Sequence, residues 1–136
     1  MGLFSKASKP NPKLIVEGIE IEFHPDYRGW KFVYRETEFS SYELAFSLPS
    51  KQELDAILDM LESLKPEMKS RLEKGLSKWS DPASTLGEGE SYLVDVEEFV
   101  GKGTFIVSWS GGESWGDLGV DFTISDHAII DEAWGD

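Results

Sequence analysis

The residues of this chain best suited to recognition chemistry lie in Ser108-Trp109-Ser110-Gly111-Gly112-Glu113-Ser114-Trp115-Gly116-Asp117, where two tryptophans stand among glycines and carboxylates. A flat indole beside acceptor oxygens can stack on a sugar, or hold an arginine by cation–π contact and carboxylate pairing. The glycines open backbone angles closed to other residues. Trp109 continues the alternation of Phe105 and Val107 and reads as core, whereas Trp115 sits inside the glycine-rich loop and reads as an anchor. Trp-Gly-Asp recurs at 134–136. That spacing corresponds to about two strands with their turns, which would place Trp134 at the same sheet edge as Trp115. With Asp121 from the following strand, the expected partner-binding residues are Glu113, Trp115, Asp117, Asp121 and Trp134.

Other chemistries find less support. The carboxylates Asp117, Asp121, Asp126, Asp131, Glu132 and Asp136 could supply an acid/base pair of the kind that hydrolyses glycosides, provided one were held neutral by an apolar pocket. No D-x-[DN]-x-[DN]-G run sets oxygens at calcium-loop spacing. The two histidines, His24 and His127, have no histidine partner four residues away and read as turn or surface residues. Cysteine is absent, which removes thiol catalysis, disulfides and thiolate zinc sites together. Neither the phosphate-loop pattern, nor the dinucleotide glycine fingerprint, nor G-x-S-x-G occurs. No catalytic residue, metal ligand or cofactor is assigned.

Charge is the strongest functional signal. Residues 1–79 carry 12 Lys and Arg against 13 Asp and Glu, whereas residues 80–136 carry Lys102 alone against 13 acids, so nearly all of the net charge of −13 lies in the second part. A field of that sign repels nucleic acid and anionic membrane and attracts basic surfaces, although acidity also serves solubility. The expected function is a non-catalytic module that engages a basic protein partner. Two alternatives stand beside it: a carbohydrate-binding or carbohydrate-active domain using the 109–117 loop, and a structural component of a larger assembly. In layout and charge the chain resembles the small acidic immunity or antitoxin-like proteins with which bacteria block a basic toxin, and that resemblance implies an inhibitory role. No apolar run is long enough to span a bilayer and no signal-peptide core follows Met1, so a cytoplasmic location is expected.

The elements that must position these residues follow from periodicity. Leu54, Ile57, Leu58, Leu61, Leu64, Met68, Leu72, Leu76 and Trp79 fall on one stripe of a helix over 50–79. Ser50 and Glu53 have capping-box spacing, Pro66 should kink the helix, and Gly75 with Asp81-Pro82 should mark its end. Alternation predicts a hairpin over 13–24 turning at Glu17-Gly18, a third strand over 30–35 and a fourth over 42–47. Beyond the helix it predicts strands at 92–96, 104–109, 118–125 and 128–133, with Gly101-Lys102-Gly103 as a turn. An aromatic share of 12% and a length of 136 residues suit one packed core. The expected fold is α+β: a frayed tail over 1–12, then a single domain over 13–136 with two antiparallel four-strand meanders flanking one long kinked helix, as one strongly curved sheet packed on it.

Overall fold

The structure is a computed structural model that describes residues 12–25, 29–42, 48–79, 91–111, 115 and 118–135. Among the described residues, eight strands form one sheet: β1 Lys13–Val16, β2 Ile19–His24, β3 Gly29–Tyr34, β4 Thr37–Ser41, β5 Ser91–Asp95, β6 Thr104–Ser110, β7 Gly119–Ser125 and β8 Ala128–Gly135. They lie side by side in chain order. Neighbours are antiparallel except β4 and β5, which pair in parallel at Phe39 with Val94 and Ser40 with Asp95. A parallel neighbour needs a long crossover, and the chain supplies it with helix α1, Lys51–Trp79.

Helix α1 forms where its signals sit. The Ser50 amide donates to Glu53 Oε1 (2.9 Å) and the Glu53 amide to Ser50 Oγ (3.1 Å), the reciprocal capping box. Pro66 lies inside the helix without ending it. The predicted stripe is the buried one: Leu54, Ile57, Leu61, Met68, Leu72 and Leu76 join a core with Ile19, Ile21, Phe32, Phe39, Val94, Phe105, Val107, Val120, Phe122 and Ile124. Leu58 and Leu64 pack at its margin. Both halves of the sheet reach this helix. Near its start, Asp55 Oδ1 accepts from Tyr34 Oη and from Arg35 Nη1, each at 2.9 Å, while Arg71 further along approaches Glu132 of β8.

The first hairpin has its expected register, Val16 opposite Ile19 and Leu14 opposite Ile21, with Glu17 and Gly18 both at positive φ. The fourth strand departs from expectation. Arg35 and Glu36 take φ of 49° and 66°, closing a two-residue turn that returns the chain at once into Thr37–Ser41. Positive φ at both positions matches the twist of the flanking strands and makes such tight turns favourable for hairpins. The fourth strand of the sheet is thus Thr37–Ser41, which Tyr42 follows; of the strand expected over 42–47, residues 43–47 lie outside the described residues. Gly101-Lys102 belongs to a single helical turn, α2 Phe99–Lys102, closed by Gly103 at φ 70°. Gly75 does not end α1; it is buried within it.

Candidate functional site

Alternation gives β5 to β8 two faces with different chemistry. On the helix side stand Val94, Val107, Phe122 and Glu132 in one cross-strand row, and Tyr92, Trp109, Val120 and Trp134 in the next. On the opposite side, Leu93, Ser108, Asp121 and Ala133 form one row, and Asp95, Ile106, Thr123 and Asp131 the adjacent one. None of these four strands carries Lys, Arg or His.

The expected partner-binding residues divide between the two faces. Trp115 is only 4% exposed and belongs to the core, its ring 6.5 Å from that of Trp134. A Cβ at Gly111 would fall on the Trp115 ring, so glycine is what admits the indole there. Trp115 therefore lacks the exposure expected of a docking anchor. Trp134 is half-buried against α1, seated over Gly75, and its Nε1 donates to Glu132 Oε2 at 2.6 Å. Glu132 Oε1 faces Arg71 Nη1 at 3.3 Å, and Arg71 also holds Glu67 at 2.7 Å. These contacts tie β8 to the helix. Asp121 instead stands exposed on the opposite face, where its Oδ1 accepts from Ser108 Oγ at 2.7 Å. Glu113 and Asp117 lie outside the described residues.

Sequence reasoning did not select Asp95, which the structure sets on the same outward face as Asp121. Burial raises its pKa above the ordinary aspartate value; the Glu97 amide, donating to Oδ1 at 2.9 Å, opposes the rise, and the negative fields of Asp121 and Glu98 add to it. Like charges thus meet on one side of the sheet with no cation on these strands to offset them. The signal was present in the Leu93 and Asp95 phase of β5, which is polar-out only in its second member.

Among the described residues, no group of three or more metal-capable side chains comes together, and no helix is long and apolar enough to cross a membrane. Comparison of the chain with protein-family models, curated proteins and solved structures gives no match.

Proposed function

We propose that the chain is a non-catalytic binding module whose outward β5–β8 face engages a basic protein partner, in the manner of an inhibitor or immunity protein. The observation that carries this reading is the row geometry: Asp95 of β5, Asp121 of β7 and Asp131 of β8 project from two neighbouring cross-strand rows of one face whose strands contain no basic residue. A rigid sheet fixes the spacing of these carboxylates, so a partner's Lys and Arg meet a pre-organised field instead of flexible side chains. Ser108, Thr123 and Ile106 between them supply hydroxyls and one apolar contact. Trp134 contributes from behind by packing β8 against α1, with the Trp115 ring beside it. The carbohydrate reading loses support because Trp109 and Trp115 are both buried and offer no free ring face.

The reading includes a sheet bent around α1. Its support is that His127 of the β7–β8 turn shares a cleft with Ala56, Met60 and Ser63, while Glu36 of the β3–β4 turn and Thr37 at the start of β4 share another with Leu58, Glu62 and Lys65. Those two helix surfaces lie on either side of the buried stripe.

Capture experiments from a lysate at low salt, with the wild-type chain and with the Asp95→Asn, Asp121→Asn, Asp131→Asn triple variant as baits, test the proposal. A basic protein held by the wild type, released by salt and lost from the triple variant is expected. Equal capture by both baits overturns it.

A further inference from the structure

The two edges of the sheet are defended very differently. At β8 the register slips between Thr123 and Ile124, so Ile130 bulges out of the ladder, and Asp131 and Glu132 follow it. Bulges and charges of this kind discourage edge-to-edge pairing. At β1 there is no bulge. Leu14, Ile15 and Val16 are 47%, 75% and 37% exposed, and none of the described residues pairs with the strand's outer side. The edge lysine does not protect it either, because Lys13 Nζ is drawn back over β2 to Glu20 (3.0 Å) and Glu22 (4.0 Å).

The hydrogen-bond phase of this edge is fixed. Phe23 donates to the Pro12 carbonyl at 2.8 Å, and the pairing continues as Lys13 with Glu22, Leu14 with Ile21, Ile15 with Glu20 and Val16 with Ile19. Antiparallel ladders alternate bonded and non-bonded pairs. Pro12, Leu14 and Val16 thus direct their backbone groups to β2, while Lys13 and Ile15 direct theirs outward. Proline at position 12 removes an amide facing inward and leaves the free edge intact.

From this edge we infer that the chain self-associates through β1, a second copy adding antiparallel about a two-fold axis at Leu14. Lys13 of each copy pairs with Ile15 of the other, using every outward backbone group of the strand. Leu14 then faces its own counterpart, and Val16 faces Pro12, which lines the helix side of the joint with apolar groups beside Ile19 and Ile21. A register shifted toward the turn would need Glu17 as a strand residue, and its φ of 52° excludes that. Charge selects the same edge. β1 belongs to the near-neutral part of the chain, residues 1–79, and four strand spacings of about 4.8 Å separate it from β5. The acidic strands of two copies therefore stay well beyond the screening length of about 8 Å at physiological salt, whereas pairing through β8 would bring them together.

The absence of cysteine permits a direct test. In the proposed register the two Leu14 residues form a non-hydrogen-bonded pair with Cα atoms about 4.5 Å apart, within disulfide reach. Under mild oxidation at about 100 μM, above the micromolar dissociation constants expected of a small interface, the full-length Leu14→Cys chain should yield a disulfide-linked dimer. Ile15→Cys, placed opposite Lys13, should cross-link much less. Sedimentation velocity of the unmodified chain should show twice the 15.3 kDa monomer mass, and Ile15→Pro, which removes an outward amide only, should return it to monomer with unchanged circular dichroism. Should Ile15→Pro misfold, Ile15→Lys replaces it with the same expected result. A wild-type chain that remains monomeric, or equal cross-linking of the Leu14→Cys and Ile15→Cys variants, overturns the inference.

Discussion

Gly75→Ala is the substitution at which helix propensity and packing oppose each other most sharply. Within an exposed helix interior alanine is favoured over glycine by about 1 kcal/mol. At Gly75 an added Cβ would fall on the indole of Trp134, against Cζ2, Cε2 and Cη2. That ring cannot simply swing away: its Nε1 is committed to Glu132 at 2.6 Å, and Trp115 stands behind it with centroids 6.5 Å apart. Overpacking of this kind costs about 1–3 kcal/mol, and displacing the ring adds the loss of a hydrogen bond to a charged acceptor, about 1.5–3 kcal/mol. Packing wins, and a net destabilisation of about 1.5–5 kcal/mol is expected once the propensity gain is subtracted. Urea unfolding followed by tryptophan fluorescence and circular dichroism reads it directly. In the Trp134→Ala background the same substitution should become neutral or stabilising, because the clash is gone. Gly75→Ala as stable as wild type, or more so, would refute the packing of Trp134 on α1.

Leu61→Ala, at a wholly buried position of the stripe, should cost about 2–5 kcal/mol through lost transfer energy and a residual cavity; a change under about 0.5 kcal/mol would move the residue to the surface. Asp95→Asn should stabilise the chain at neutral pH. Its folded pKa lies above the unfolded one, so the charged carboxylate opposes folding at high pH and the penalty disappears as pH falls through the folded value; melting temperatures that differ equally at pH 7 and below the carboxylate range would contradict this. His127 sits in a two-residue turn at φ 64° after Asp126 at φ 52°, and His127→Gly should raise stability by up to about 1 kcal/mol by relieving the left-handed side-chain penalty, with a lower melting temperature as the contrary result.

Much of the fold was legible because particular residues carry unambiguous local signals. Ser50 and Glu53 start the helix, Glu17-Gly18 turns the first hairpin, and Leu118 to Ser125 alternates cleanly, matching β7. The fourth strand was not legible, since Thr-Glu-Phe-Ser-Ser has one apolar residue and Arg35-Glu36 is no favoured turn pair; tertiary pairing of Phe39 with Phe32 and Val94 decides it. Gly75 read as a terminator because propensity cannot reveal an indole arriving from β8. The candidate site was half legible. Charge pointed to the second part of the chain, but strand phase within the sheet, which puts Asp121 outward and Trp134 inward, follows from register, and the burial of Trp115 depends on long-range packing against Trp134 as well as on the local space left by Gly111.

The outward acidic face is tested most directly by titrating the isotopically labelled chain with a lysine- and arginine-rich peptide while following backbone amides and aspartate carboxyls by NMR. The largest shifts should fall on Leu93, Asp95, Ser108, Asp121, Thr123 and Asp131, added salt should abolish them, and the pKa of Asp95, raised by burial and by its acidic neighbours, should fall on binding as the peptide's cations stabilise the charged carboxylate. Shifts confined to the helix side of the sheet, or an Asp95 whose titration the peptide leaves unchanged, would contradict this.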